Sequence, residues 1–558
     1  MTDLAEFLSG LLDGGFLLCM AFAVGGVAYL SSVLRISTDP SPMFASLARG
    51  TAGASAIGAL AAAGGRLVEV FLLKPLAFAE DLGEMELHAF AQTQAFRVNL
   101  LSIVFLALLA GALLWLRTDM ANRNVSVLAM LLAGAAVVAE AWLTHAASRI
   151  GGSQLTIAMT VTHMLGAMLW AGGIMHLLLS WRQRHGLLAA QMWPQLVARF
   201  SGLGVASVLL IAGSGLYLGW RYAGDWQGLV GTGYGNVLVA KAVLFVCIVV
   251  LAALNYRAAR RWEESREVWP LMRETPPFIE TEVIFAAAIL FAAASLSSHP
   301  PAVDVIRDRV PPAETWLMFN PKLPHLSGPE TILWERPELT NPLTGEPGYE
   351  VNLSWDRFHH NVSGLFVLFA ATLWTIDRLT QATWARHWPL LFLAFGTYVF
   401  LIGDPTYFPF GEVGFWESVR SPGVLQHWFL SATMAAIGWF EWRTRQDGFA
   451  RPRLRYLFPA ACIACGILLL AHSHNFFRLK TQYLTLATHV AIGTTVIVVG
   501  CARWLELRSP PPGDRIAGFI GAGALLLVGL ILLFYVDPED TVTWERMKTL
   551  NITGKHPG

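Results

Sequence analysis

Long apolar stretches separated by short polar segments run along almost the whole chain. Each stretch is close to the roughly 20 residues that an α-helix needs to cross a bilayer. Eight such stretches precede a polar segment rich in proline and tryptophan, and six follow it. The pattern predicts about fourteen membrane-spanning helices, near 14–34, 52–73, 97–116, 125–145, 158–180, 201–220, 235–256, 279–298, 359–376, 387–403, 425–442, 454–472, 483–503 and 516–535.

The polar segment at 299–357 divides the chain into three predicted parts. Residues 1–298 form an eight-helix membrane domain, and residues 359–558 form a six-helix membrane domain that carries several histidines. The segment between them has too few alternating β-branched residues for a sheet. Its prolines and tryptophans favour an irregular segment at the membrane interface, either a lid over the histidines or a simple linker, and the loop at 404–422 has a similar character. The fold class is therefore all-α, a polytopic membrane protein with bundles of eight and six helices.

Composition narrows the classes of function that fit. Of the 558 residues, 55% are hydrophobic and 14% are charged, whereas a typical soluble domain has about 25% charged residues. Acidic and basic residues are equal in number, which argues against a nucleic acid as partner. The sequence has no GxxxxGK[ST] phosphate-binding pattern, so we expect neither ATP binding nor an ATP-driven pump. The five cysteines all fall in apolar stretches, which argues against a disulfide framework.

Basic residues predict the orientation of the spans, because cytoplasmic loops carry an excess of arginine and lysine. If the N-terminus lies outside, the inner loops hold 22 basic residues and the short outer loops hold seven. The first stretch follows an acidic segment without a cleavage site, so we expect it to be retained as a helix. Both termini and the proline-rich segment are then expected on the outer face.

This orientation places most of the histidines on one side of the membrane. Twelve of the fifteen lie in outer loops or near the outer ends of their helices. Imidazole suits copper, zinc, iron and nickel, so the set indicates a metal site on the outer face, although a single buried histidine is often only a hydrogen-bonded packing residue. The candidate ligands are His145, His163, His299, His359, His360, His427, His472, His474 and His489.

Four charged residues lie more than three residues from either end of a predicted span, where an ionisable side chain is costly unless it faces a polar interior or a partner. Arg66 and Glu69 lie three residues apart on one helix face and can pair. Glu140 lies in the fourth span, and Lys241 lies in the seventh. The four residues mark either a functional path or a set of charges that neutralise one another and fix helix packing. Both interpretations require the second, fourth, fifth and seventh spans to meet.

Two cysteines in the twelfth predicted span raise the question of a second metal route. Cys462 and Cys465 lie on one helix face, and His472 follows about two turns further on. Thiolate favours Cu(I), so the three residues are consistent with a soft-metal path from mid-membrane to the outer surface. Buried cysteines are also common as small packing residues, and the sequence leaves both interpretations open.

The same histidines are compatible with haem b, which two imidazoles can hold between membrane helices. His163, His360 and His489 are each followed within four residues by a glycine, which would make room for the ring. The sequence has no CxxCH attachment motif, so any haem would be bound non-covalently. Haem b is therefore the alternative to a copper ion, and a membrane redox protein is the alternative function.

Several stretches resemble the copper resistance protein D family of bacterial inner-membrane proteins. In the first 300 residues these are TVTHMLGAMLWAGGIMHL (160–177), RFSGLGVASVLLIAGSGLYLGWRYAG (199–224) and GTGYGNVLVAKAVLFVCIVVLAALNYR (231–257). The paired sixth and seventh spans carry the most specific part of the resemblance. In the second half, HHNVSGLFVL (359–368) and GDPTYFPFGEVGFWESVRSPGVLQH (403–427) are similar to segments that follow this domain in longer members.

The resemblance implies copper homeostasis at the bacterial inner membrane, so the outer face, where both termini are expected from the basic residues, is the periplasmic face. The expected role is copper transport or copper handling, often alongside a small periplasmic copper-binding protein. His145 and His163 match the family's histidines at the outer ends of the fourth and fifth helices. A third hypothesis is a membrane factor that delivers copper to a partner enzyme. A transporter or metal-handling protein is expected rather than an enzyme.

Overall fold

The computed structural model describes ten segments of the chain: residues 2–34, 42–78, 92–144, 154–182, 188–328, 349–404, 407–420, 422–446, 452–471 and 479–536. Within these segments every regular element is helical. The chain divides into two compact units. Unit 1 comprises Met1–Leu229, Tyr234–Arg307 and Leu470–His474, and unit 2 comprises Val230–Gly233, Asp308–Leu469 and Asn475–Gly558.

Eight long helices lie almost wholly in unit 1: α1 (Thr2–Ala28), α2 (Pro42–Val68), α3 (Gln94–Thr118), α4 (Arg123–Trp142), α5 (Gln154–Arg182), α6 (Leu188–Ala223), α7 (Gly233–Ser265) and α8 (Val268–Ser297). Helix α1 packs against α2, α5 and α8, while α3 packs between α2 and α4. Helices α1 and α5 approach closely at Gly25, where an added Cβ would lie 2.5 Å from the Cα of Gly172. Small residues thus allow backbone contact between these two helices.

Six helices lie almost wholly in unit 2: α9 (Tyr349–Thr380), α10 (Leu390–Ile402), α11 (Pro422–Gln446), α12 (Leu457–Ala471), α13 (Leu479–Arg508) and α14 (Gly513–Leu533). Helix α14 packs against α9 and α13, and α10 packs against α11. The core of the unit contains Trp374 and Trp388, whose rings are stacked with centroids 4.9 Å apart. Burial of such large apolar side chains holds α9 against its neighbours.

Among the described residues, thirteen helices are long and apolar enough to cross a membrane. They account for every predicted span except 425–442. Helix α11 occupies that stretch, but Gln426, His427 and Glu441 lower its hydropathy. The predicted all-α polytopic fold is therefore confirmed, and the chain is a multi-pass membrane protein. The placement of the termini and the predicted roles of the three parts of the chain stay predictions.

Helix α2 does not end as a regular α-helix. After Val68 the backbone continues as a π-helical turn, Glu69–Leu73, and then as a short α-helix, Lys74–Phe78. The backbone N–H of Lys74 donates to the carbonyl of Glu69, five residues earlier. Because π-helical turns bring residues five apart onto one face, the side chains of Glu69 and Lys74 meet.

Candidate functional site

Four of the predicted histidine ligands lie in the N-terminal halves of three helices of unit 2. His359 and His360 lie on α9, His427 lies on α11, and His489 lies on α13. The ring centroids of His360 and His489 are 6.4 Å apart, and the two ring planes meet at 82°. His359 is close enough to His360 and His427 to interact with both electrostatically. We refer to these four residues as the histidine cluster.

Two of these rings are held by acceptor atoms at Nδ1. The Nδ1 of His360 lies 2.8 Å from the carbonyl oxygen of Asp356, and the Nδ1 of His427 lies 2.9 Å from Asp404 Oδ2. Because a carbonyl and a carboxylate can only accept, both Nδ1 atoms donate. A neutral imidazole that donates through Nδ1 keeps its lone pair on Nε2. This is the arrangement that metal-ligating histidines adopt.

The ring of His359 is fixed between aromatic neighbours. Its Nδ1 lies 2.9 Å from the hydroxyl of Tyr398, and the ring of Trp355 meets it edge-on, with centroids 4.6 Å apart. The Nε2 atom of His359 is buried and has no hydrogen-bond partner among the described residues. Buried polar atoms are rarely left unpaired in proteins, so this atom marks a position where a ligand would be favoured.

A carboxylate and a tyrosine complete the surroundings of His360. The ring of Tyr535 stacks on His360 with centroids 4.0 Å apart, and the Tyr535 hydroxyl donates to Asp356 Oδ2 over 3.3 Å. Asp356 Oδ1 also lies 3.2 Å from the Nδ1 of His360. The ring therefore has a fixed orientation and a negative charge beside it, and both favour a bound cation.

Parts of both predicted lid segments lie against this end of unit 2. The backbone N–H of His325 donates to the side-chain oxygen of Asn361, next to His360 on α9, over 2.6 Å. In the second segment the ring of Phe415 stacks on Trp428, the neighbour of His427, with centroids 5.6 Å apart. The polar connections of unit 2 thus pack beside the histidine cluster.

Two further candidate ligands, His163 and His299, lie in unit 1. The Nδ1 of His163 lies 3.2 Å from both the carbonyl oxygen of Ile211 and the hydroxyl of Ser214 on α6. His299 follows α8, and its Nε2 is buried without a hydrogen-bond partner in the described part of the chain. The remaining candidates, His145, His472 and His474, lie outside the described residues.

The donor set fits copper as a substrate. Within the described segments, no three histidine, cysteine or acidic side chains already form a metal centre. The 6.4 Å between the rings of His360 and His489 is close to the separation of about 6 Å that two imidazoles reach on opposite sides of a shared ion. Imidazole nitrogen is a good copper ligand. The centroid separation of these two rings is therefore compatible with two imidazoles at one ion.

The glycines that follow the candidate haem ligands make room for helices. A Cβ on Gly364 would lie 2.3 Å from the backbone nitrogen of Leu533 on α14. A Cβ on Gly166 would lie 3.1 Å from side-chain atoms of Leu210 and Ile211 on α6. At Gly364 and Gly166 the space that a haem ring would need is therefore occupied by a neighbouring helix.

Three of the predicted intramembrane charges meet in unit 1. Arg66 Nη1 lies 2.6 Å from Glu69 Oε2 and 2.8 Å from Asp13 Oδ1, while Nη2 lies 2.7 Å from Glu140 Oε1. Lys74 Nζ lies 2.6 Å from Glu69 Oε1. Arg66, Glu69 and Glu140 are all buried. We call these five residues the Arg66 cluster, and its ion pairs bring α1, α2 and α4 together.

Lys241 is not part of the Arg66 cluster, so the prediction that all four intramembrane charges meet was wrong. Lys241 lies on α7, and its electrostatic neighbour is His163 on α5. The sequence reading missed Asp13 and Lys74 because Asp13 precedes the first predicted span and Lys74 follows the second. Both were treated as loop residues.

Cys462 and Cys465 lie one turn apart on α12. Both are free thiols. Cys462 packs against the hydrophobic core of unit 2 and lies close enough to Glu441 on α11 to interact with it. This packing agrees with the structural interpretation of the pair. The soft-metal path stays a prediction, since His472 lies outside the described residues.

The C-terminal halves of α9, α11 and α13 carry buried charges instead of histidines. We call this set the arginine–carboxylate network: Asp377, Arg378, Glu441, Arg445, Arg503 and Glu506. Arg445 lies 2.9 Å from Asp377 and 2.8 Å from Glu441, and Arg503 links Glu441 at 2.8 Å to Glu506 at 3.0 Å. The Arg445 guanidinium also lies over the two stacked core tryptophans. The network ties the three helices to one another.

Sequence reasoning missed the residues that hold the histidines in place. Asp356 precedes His360 by four residues, so their shared helix face was a readable signal. Asp404 is 23 residues from His427 in the chain, and only the fold brings them together. Tyr398 meets His359 in the same way, from a different helix.

Comparison with known proteins supports the predicted family resemblance. Residues 194–296, which include most of α6 and all of α7, match the family model described as Copper resistance protein D. The chain is 32% identical over 171 residues to the Copper transport protein CutJ of Bacillus subtilis (strain 168). That alignment spans 29% of this chain and 29% of the relative, so the chain covers less than a third of that protein. No solved structure shows significant similarity to the chain. Both matches agree with the predicted resemblance, and over residues 194–296 the chain is similar to the copper resistance protein D family.

Proposed function

We propose that this chain takes part in copper resistance or copper transport as a multi-pass protein of the bacterial inner membrane. The observation that carries the proposal is the family match over residues 194–296 in the membrane helices of unit 1. The similarity to a relative named as a copper transport protein supports it. Because both matches cover a minority of the chain, the role of unit 2 is argued from its own residues.

In this proposal the histidine cluster of unit 2 is where copper first contacts the protein, on the periplasmic face. His360 and His489 provide two imidazoles at a separation close to that of a shared ion. Two ligands bind an ion less tightly than a closed set of four. Such a contact suits a substrate that must also leave, because conduction and delivery both require release.

The first experiment measures metal in the purified full-length protein. We expect copper by elemental analysis after exposure to Cu(I) or Cu(II), and a loss of about tenfold or more in the double variant His360→Ala/His489→Ala. The matched control is His387→Ala, which removes a histidine that accepts a hydrogen bond from Trp442 at the other end of unit 2. Equal copper in the double variant and the control would refute the role of the histidine cluster.

The same sample separates the remaining alternatives. A Soret absorption band that disappears in the His360→Ala variant would support haem b instead of a copper contact. Cellular copper that changes with expression of the protein supports transport, whereas bound copper without such a change supports delivery. In the delivery case the proposed partner is a small periplasmic copper-binding protein, and copper exchange between the two purified proteins would test it.

A further inference from the structure

A cavity of about 240 Å³ lies inside unit 1, among α5, α6, α7 and α8. Most of its lining is apolar, including Trp170 and Phe200. Few of the side chains that line it are polar. Among the described residues that line it, the acidic one is Glu282 on α8, and Asn255 on α7 is hydrogen-bonded to it. Most of the lining belongs to the family-matched residues 194–296. The cavity is therefore a feature of the copper resistance protein D region of the chain.

Glu282 is buried, and it forms no ion pair with any cation in the described segments of the chain. Its exposed fraction is 2%, and that of Asn255 is 8%. The Nδ2 atom of Asn255 lies 2.5 Å from Glu282 Oε1. The residues that line the cavity include no lysine, arginine or histidine. Glu282 thus differs from Glu69 and Glu441, each of which lies against at least one cation.

The surroundings of Glu282 favour the neutral acid. An ionised carboxylate in an apolar interior loses its hydration, and a single neutral amide compensates little of that loss. Asn255 Oδ1 is also buried without a hydrogen-bond partner in the described part of the chain. The two ends of an amide group are assigned from its partners. If the amide is turned by 180°, a protonated Glu282 donates to Oδ1, and 2.5 Å lies at the short end of the range for such an O–H···O bond.

We propose that Glu282 is a proton-binding site in the membrane interior, which holds a proton with Asn255 and exchanges it through the cavity. The titratable side chain that shares the lining is Tyr256 on α7, while α5 and α6 contribute Trp170, Ser201 and apolar residues. The ligand is therefore a proton, taken up when water reaches the carboxyl group. This inference goes beyond copper binding and does not depend on it.

The test is chemical labelling of the full-length protein in detergent micelles with dicyclohexylcarbodiimide. This apolar reagent reacts with protonated carboxyl groups: the acid adds across one C=N bond, and the whole reagent is retained without a leaving group. We expect the peptide that contains Glu282 to gain the mass of one reagent molecule at neutral pH. Labelling should fall about tenfold for each pH unit once alkaline buffer removes the proton.

Two comparisons make the labelling specific. Glu263 is exposed and paired with Arg260 at 3.1 Å, so it serves as a carboxylate within the same protein that stays unlabelled at neutral pH. The variant Glu282→Gln keeps the shape and the hydrogen bonds of the neutral acid, so it should elute as a folded protein and lose the label. Reaction at Glu263 with none at Glu282 would contradict the proposal.

The proposal is overturned if folded wild-type protein shows no label on Glu282 at any pH, or if that label does not change with pH. The first outcome would mean that the carboxyl group does not exchange through the cavity, and the second that it does not titrate. Copper content is measured on the same samples and reports on the histidine cluster. The labelling therefore tests the proton site at Glu282, and the copper content independently tests the histidine cluster.

Discussion

The two ends of α9, α11 and α13 are built from different chemistry. On α9, His360 and Arg378 are 18 residues apart, and on α11 the same number separates His427 from Arg445. At 1.5 Å per residue these distances are about 27 Å, nearly the thickness of the hydrocarbon core. All three helices place imidazole toward the N-terminus and paired charges toward the C-terminus, so they run in the same direction.

The charged groups at one end hold the helices together, whereas the imidazoles at the other end are groups that can bind a ligand. In the arginine–carboxylate network every charged group lies within 3.0 Å of an opposite charge. In the histidine cluster, His360 and His427 are held at Nδ1, so each ring, when neutral, carries its lone pair on Nε2. Charges that are already paired inside the protein have little left for a ligand. Neutral imidazoles are ligands that copper accepts.

The largest expected effect is on stability and lies in the arginine–carboxylate network. Replacement Arg445→Leu removes the cation between Asp377 and Glu441 and leaves buried carboxylates undercompensated. We expect the free energy of unfolding to fall by about 3–5 kcal/mol, measured by thermal unfolding of the protein in detergent. Copper affinity of the protein that remains folded should be unchanged.

The control for this variant is Arg443→Leu on the same helix. Arg443 is partly exposed and makes no ion pair with other described residues, so its loss should cost less than about 1 kcal/mol. Similar unfolding temperatures for the two variants would show that the network does not hold the helices together. The proposed structural role of the arginine–carboxylate network would then be wrong.

A smaller effect, on binding rather than stability, is expected at the histidine end. Replacement Asp404→Asn takes away the carboxylate that orients His427. We expect copper affinity to fall by about 10–100-fold, measured by competition with a chromogenic chelator. Glu412→Gln, an exposed carboxylate in the same loop, is the matched control. If the Asp404→Asn variant unfolds more easily but binds copper normally, Asp404 stabilises the fold and does not contribute to copper binding.

The smallest effect concerns the hydroxyl of Tyr398, which meets His359 Nδ1. Replacement Tyr398→Phe removes one hydrogen bond of about 1 kcal/mol, equivalent to a loss of about fivefold in copper affinity. The same chelator competition measures it, with Tyr407→Phe as the control. An unchanged copper affinity would show that His359 is a packing residue. The copper contact would then be formed by the other histidines of the histidine cluster.

Most of the fold was readable from the sequence because lipid imposes a length and a composition on each span. Fourteen successive apolar stretches leave little choice of architecture, and even the weakly apolar stretch at 425–442 forms a helix. The register of polar residues within a helix was also readable, as for Arg66 and Glu69. The π-helical turn after Val68 was not, because no local residue pattern distinguishes it from an α-helix.

The site was only partly readable, since its geometry depends on contacts between helices distant in sequence. The histidines were found by their position at the ends of spans. Their supports, such as Asp404 and Tyr398, come from elements whose packing a single sequence does not specify. Lys241 was assigned to the wrong neighbours for the same reason. Glu282 was overlooked because it lies close to the inner end of its predicted span, where a charge usually meets water.

The π-helical turn determines how many residues the C-terminal end of α2 can gain or lose. In an uninterrupted α-helix, residues five apart point about 140° away from each other, and residues four apart share a face. Shortening 70–73 by one residue should therefore give a regular helix that still presents the Lys74 ammonium group to Glu69. Lengthening the same stretch by one residue should turn that group aside by about 100° and leave three carboxylates to share a single guanidinium.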